Sequence, residues 1–434
     1  MYVAIIYILL ICFSVMALKK MNRNKSEWLI FLLILSYITT CLMYLFEGTT
    51  IFTVVTLGGI QVHLNDLILI WLFLYCIAKF RRFRISDILV SILLLIIPLY
   101  ISIMRGALSG TIGSANFLSD TRNYFLFFVV LLAFFFGLRS QKGFSRLYKY
   151  QKYIHTFMNI VAIYVLFFWG GDLIFGMRFL PGQLNGLLSD GGSTFRIINP
   201  PQVLMIALYT LYEIYIDLEK KKVISLRTLL FITIVVLMQW RTVVAAFSVG
   251  LVLIFIYQIK KGNLLSYKII MELIGIVIVG GIVTFSVDIT AITAMIFNLF
   301  DSFSNIGKNQ GTFGTRTLVW KELLGSLSGF ERLFGRPFGM GYKETVTWNH
   351  SAHSGYVDYI MVTGYFGLVC LLGFIGFIIS KSWKSKQVFI LIAMIVILVY
   401  WYGYGFSLEQ AALIGLCAGI LDQSPKQQFE RRLQ

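Results

Sequence analysis

The chain has 434 residues, 58% of them hydrophobic and only 13% charged, with a mean hydropathy of +0.81. A water-soluble domain cannot bury that much apolar surface, so the composition excludes a soluble enzyme or binding module and makes a lipid bilayer the solvent. The 37 basic residues against 20 acidic give a net charge of +17, but they are scattered through short loops and form no continuous patch, which excludes a nucleic-acid surface.

About thirteen apolar stretches are long enough, or nearly so, to cross a bilayer. In chain order they are 1–18, 28–46, 64–80, 85–104, 123–138, 155–175, 201–218, 223–240, 242–259, 268–287, 355–380, 387–403 and 407–421. They predict an all-α polytopic membrane protein of about 12–13 transmembrane helices, since a helix satisfies its own backbone in lipid. Basic residues cluster in alternate connections: Lys19 to Lys25, Lys79 to Arg84, Arg139 to Lys152, Lys220 to Arg227, Lys260 to Lys268, Lys381 to Lys386 and Lys426 to Arg432. The positive-inside rule puts these loops in the cytoplasm, the N-terminus outside and the C-terminus inside. The first stretch begins at Met1 without a basic leader or small-residue cleavage site, so it reads as a retained helix. Cys12, Cys41, Cys76, Cys370 and Cys417 all lie in apolar stretches, without metal-ligand or disulfide spacing. No repeat relates the two halves, which argues against a transporter built on inverted repeats. The organisation expected is a helix bundle over 1–286, a large extracytoplasmic loop with short helices over 287–352, and C-terminal helices over 353–434.

Against this background the polar residues on the outer side stand out. Asp120-Thr121-Arg122-Asn123 sits at the outer end of the fifth stretch. Ser193 to Pro201 closes an outer loop; its Asn199-Pro200-Pro201 opens a helix whose free amides, with Arg196 beside them, suit an anion. Val223 to Gln258 is apolar apart from Arg227 and Arg241, and as one helix would span about 50 Å. A hairpin with its tip at Gln239-Trp240-Arg241-Thr242 is the economical solution, and it puts Arg241 at the outer face. An interfacial Trp-Arg anchor is the plainer account of that residue.

Within the large loop, Gly314 to Leu324 predicts a short helix with Thr315 as N-cap and with Arg316 and Trp320 on one face. A glycine-rich turn follows, Phe334-Gly335-Arg336-Pro337-Phe338-Gly339-Met340-Gly341-Tyr342; it lacks the Lys-Ser/Thr ending of a phosphate-binding loop. The loop closes on His350 and His353. Histidine is suited to proton transfer near neutral pH. Zinc would need further ligands that the sequence does not show, so no metal or cofactor is expected. The outer arginines exceed the acidic residues near them, and guanidinium groups hold phosphates bidentately. A lipid-linked diphosphate, with its tail in the bilayer and its head at this surface, is the ligand that fits.

These motifs resemble, in order and spacing, those of the O-antigen polymerase and O-antigen ligase superfamily. The matching residues are Phe195-Arg196 to Asn199-Pro200, Gln239-Trp240-Arg241-Thr242, Arg316 to Trp320, Leu333-Phe334-Gly335 to Gly341, His353-Ser354-Gly355-Tyr356 and Gly364-Tyr365-Phe366-Gly367-Leu368. They lie between about residues 190 and 380, under half of the chain. Where the family often has His-Asn, this chain has His353-Ser354. The resemblance implies a GT-C-like, metal-independent, inverting glycosyltransferase at the outer face of a bacterial cytoplasmic membrane. Its donor and acceptor would be oligosaccharides on undecaprenyl diphosphate, and its partners a flippase and a chain-length regulator. By position, Arg241 and Arg316 would hold the diphosphate and His353 would activate the acceptor hydroxyl. Arg196, Arg122, Trp320, Tyr356 and Arg336 would complete the substrate site. A polymerase of capsule, exopolysaccharide or O-antigen is the expectation; a ligase with the same donor and a polysaccharide exporter stay open.

Overall fold

The computed structural model describes residues 53–57, 60–63, 74, 85–112, 114, 117, 120, 124–137, 200–220, 225–237, 240–262, 311–341 and 352–422. Arg122, Arg196 and His350 lie outside the described residues, as do the stretches 1–18, 28–46, 155–175 and 268–287, most of 64–80, and the tail beyond 422. What is described is mostly helical. One short antiparallel hairpin, β1 (Thr53–Leu57) with β2 (Ile60–His63), lies between the second and third apolar stretches, where no strand was expected.

The helices are α1 (Asp87–Leu108), α2 (Leu126–Gly137), α3 (Pro200–Glu219), α4 (Leu226–Leu237), α5 (Arg241–Lys260), α6 (Gly311–Gly325), α7 (Gly329–Phe334), α8 (Gly355–Lys384), α9 (Val388–Trp401) and α10 (Leu408–Leu421). Three of them, α1, α5 and α8, are long and apolar enough to cross a membrane. The boundaries follow the sequence closely. Ser86 caps α1 by accepting from Leu89 N–H at 3.3 Å. The chain breaks between α4 and α5 where Arg241 interrupts the apolar run. In one place local chemistry misleads: α6 begins at Gly311, four residues before Thr315, which is therefore inside the helix and not its cap.

Packing among these helices relies on close backbone approach at glycines. Helices α2 and α10 lie against each other through Gly415 and Gly419, one turn apart. A Cβ on Gly415 would sit 2.2 Å from the Leu131 carbonyl oxygen. A second close approach joins elements distant in sequence. Gly364 has φ +69° and kinks α8; Gly335 has φ +76° and ends α7. A Cβ on either would come within 2.2 Å of the other's neighbouring carbonyl, Val362 for Gly335 and Leu333 for Gly364. Only glycine combines that φ with that contact. The α8 kink lets Met361 carbonyl accept from Arg336 N–H at 2.7 Å.

The bundle has two chemically different ends. At one, α3 and α5 finish on the Glu219–Lys261 ion pair at 2.5 Å. Lys381, near the end of α8, lies 3.9 Å from Asp87 at the start of α1. Tyr212 and Tyr215 of α3 pack on Phe389 at the start of α9. At the other end meet the starts of α2, α3, α5, α8 and α10 and the finishes of α1 and α9. There Gln202 donates to the Glu409 carboxylate at 3.0 Å, both buried. Trp401 donates to Gln410 at 2.7 Å, and Tyr124, Phe127, Tyr359 and Trp401 surround Phe406.

Candidate functional site

The site is organised by the turn between α9 and α10, Tyr402-Gly403-Tyr404-Gly405-Phe406. Arg316 of α6 donates from Nη1 to the Gly403 carbonyl at 3.2 Å, with its guanidinium 5.7 Å from the Tyr404 ring centroid. Trp240, directly before Arg241, packs edge-on against the same Tyr404 ring at 5.9 Å. Thr242, directly after Arg241, touches Gly403, where a Cβ would lie 2.3 Å from its Oγ1. Arg241 and Arg316, 75 positions apart in sequence, are thus carried to one turn. Arg241 is also the first residue of α5, and Trp240 supplies no side-chain cap. The positive end of the α5 dipole therefore lies at the same turn as the Arg316 guanidinium. Both arginines are partly exposed. Together these features form an electropositive corner suited to an anion with two phosphates.

His353 stands beside this corner. It is exposed and has φ +52°, a left-handed conformation that costs a non-glycine residue on the order of 1–3 kcal/mol and persists only when its surroundings hold it. They do so at three points. Ala352 N–H donates to Asp358 Oδ1 at 2.9 Å. The Ala352 carbonyl accepts from Trp320 Nε1 at 2.7 Å. Gly355 N–H donates to the Tyr404 carbonyl at 3.0 Å. Ala352, Ser354, Gly355 and Asp358 are buried while His353 between them is not. Trp320 also packs edge-on against Tyr402 at 5.3 Å. One face of α6 therefore sends Arg316 to Gly403 and, a turn later, Trp320 to Ala352.

The glycine-rich turn docks nearby on the end of α1. Phe338 N–H donates to the Ser102 carbonyl at 3.1 Å, and Thr111 Oγ1 donates to the Phe338 carbonyl at 2.6 Å. Arg105 Nη1 donates to the Gly335 carbonyl. Gly339 N–H donates to Asp120 Oδ2 at 2.9 Å. Burial pushes the Asp120 carboxyl from an ordinary 3.8 up to about 6; the Asp358 carboxylate adds to the rise, and the Gly339 N–H opposes it. Asp120 and Asp358 thus interact electrostatically while each holds a loop backbone, Asp120 the glycine-rich turn and Asp358 the segment before His353.

Of the residues singled out in the sequence, Arg241, Arg316, Trp320 and His353 gather around the 402–406 turn. Tyr356 and Arg336 are engaged otherwise. The Tyr356 hydroxyl donates to the Leu398 carbonyl at 2.7 Å. Arg336 is buried, donating from Nη2 to Ser326 Oγ at 2.9 Å and from Nη1 to the Gly341 carbonyl at 3.4 Å, while Ser102 Oγ donates to its carbonyl at 3.0 Å. Both brace the scaffold. Sequence reasoning missed the 402–406 turn itself and, although it singled out Asp120, missed its hold on the glycine-rich turn. The signal was present in the former, since a Tyr-Gly-Tyr-Gly run between two apolar stretches is more than an aromatic belt. Among the described residues, no three His, Cys, Asp or Glu side chains gather as metal ligands. Comparison of the chain with protein-family models, curated proteins and solved structures finds no match.

Proposed function

We propose that the chain is a membrane-embedded polysaccharide polymerase, joining oligosaccharide units carried on a polyprenyl diphosphate at the outer face of a bacterial cytoplasmic membrane. The observation that carries this reading is the meeting of Arg241, Arg316 and His353 around one turn, at the end of the bundle opposite Lys261 and Lys381. Transfer from such a donor breaks the bond between the anomeric carbon and the diphosphate. The negative charge that develops on the leaving oxygen is the main feature to stabilise. Arg241, Arg316 and the start of α5 supply positive charge and N–H donors for it. The acceptor sugar hydroxyl attacks from the opposite face, inverting the anomeric centre, and His353 takes its proton. A positioned base of this kind contributes about 10²–10⁴-fold. The kink in α8 and the docked glycine-rich turn hold the loop helices against the bundle. The length and apolar character of α1, α5 and α8 support a place in the bilayer, where the lipid tail of the donor would reside. Deleting the gene and sizing the surface polysaccharide on a gel tests the reading. A ladder that collapses to single repeat units supports it. Loss of surface attachment with lipid-linked chains intact points to a ligase instead.

A further inference from the structure

We propose that Trp320 and Asp358 are positioning residues for His353, acting together as a bracket that grips the peptide unit on each side of Ala352. The proposal rests on the reading of His353 as the group that receives the acceptor's proton. Both contacts are made by buried side chains, and both fall on the backbone of the one residue that precedes His353. Asp358 reaches back from the first turn of α8 to the Ala352 N–H, and Trp320 reaches down from α6 to the Ala352 carbonyl. With both polar atoms of Ala352 held, and Gly355 tied to Tyr404 on the far side, the left-handed turn at His353 has little room to relax. The bracket thereby fixes the backbone from which the exposed imidazole projects, and it acts through backbone atoms.

The bracket also joins two functions through one helix. Arg316 and Trp320 lie four residues apart on α6, one on the Gly403 carbonyl and the other on the Ala352 carbonyl. Docking of α6 therefore sets the arginine and the histidine in the same event. The indole N–H of Trp320 is committed to the chain's own backbone, which assigns Trp320 a positioning role in place of the substrate-binding role expected of it.

The test uses the full-length protein in detergent or vesicles and has two arms. The first follows amide exchange by mass spectrometry in peptides covering 350–356. Asp358→Ala should speed exchange of one amide by about tenfold or more, since a buried N–H loses its acceptor. Asp358→Asn keeps an acceptor oxygen and should leave that amide protected. The second arm measures chain growth from a polyprenyl-diphosphate-linked oligosaccharide. Asp358→Ala and Trp320→Phe should each lower kcat about tenfold with KM for the donor nearly unchanged, and Asp358→Asn should restore most of the rate. In a His353→Ala background neither substitution should cost more than about twofold, because residues acting through one group are not additive.

Unchanged exchange in Asp358→Ala overturns the bracket. A further tenfold loss in the His353→Ala background, or a raised KM with kcat intact, overturns the positioning role. If Asp358→Ala does not fold, Trp320→Phe, which keeps an aromatic ring beside Tyr402 and removes the indole donor, decides the second arm. Failure of the polymerase reading has a separate signature. Wild-type protein then forms no chains from any lipid-linked donor while the exchange pattern holds, and the catalytic part of the proposal falls with it.

Discussion

Removing the charge of Asp120 should stabilise the protein at neutral pH and leave it unchanged in acid. The Asp120 carboxyl is raised from 3.8 to about 6, first by burial and then by Asp358, despite the Gly339 N–H it accepts. Its folded value lies above its unfolded value, so the folded state binds more protons between these limits. The stability attached to the protonated form is fully present below about pH 4 and is lost as pH rises through about 6. At 1.36 kcal/mol per pH unit the difference amounts to about 3 kcal/mol by pH 8. Asn at 120 cannot ionise and retains an oxygen for the Gly339 N–H. Thermal melts of purified wild type and Asp120→Asn, run from pH 4 to 8, should coincide at the acid end. They should separate through the pH 4–6 window, with the variant melting higher at pH 8. A variant that melts lower than wild type by the same amount at every pH would refute the reasoning, since the charge would then be net favourable where it lies.

Gly415→Val should reduce folded yield, with a cost of about 2–3 kcal/mol for overpacking against Leu131, whereas Gly373→Ala, with open space around it, should be silent; size-exclusion profiles after detergent extraction compare them. Gly335→Ala and Gly364→Ala should each loosen the same contact, so the double variant should be little worse than either single one in a melting experiment. His353→Ala should cut chain growth by about 10²-fold or more while His350→Ala remains active, and donor binding should change little in both.

The helices were legible because apolar runs bounded by lysine or glycine leave few choices. The α4–α5 break could be read from the length of the run from Val223 to Gln258, because a continuous helix would be too long for a bilayer. The kink at Gly364 was hidden. A glycine inside an apolar run has many explanations, and its cause here is a contact with Gly335, 29 positions earlier. The site was half legible for a related reason. Motifs gave the positions of Arg241, Arg316, Trp320 and His353, and the fold brings them around one turn. They could not give direction. Tyr356 follows Gly355 by one residue, yet its hydroxyl is turned to Leu398, and Arg336 is drawn under its own turn toward Ser326. The left-handed backbone at His353 depends on partners from two other segments, which spacing alone does not reveal.

The central claim is that Arg241 and Arg316 together hold a diphosphate leaving group during glycosyl transfer. The most direct measurement is chain growth by purified protein in vesicles supplied with a polyprenyl-diphosphate-linked oligosaccharide, comparing wild type with Arg241→Lys and Arg316→Lys at equal protein levels. Lysine keeps the charge and loses the two-pronged geometry. Wild type should give a ladder of products, and each variant should lose about tenfold or more. Full chain growth by both lysine variants, or none by wild type, would contradict it.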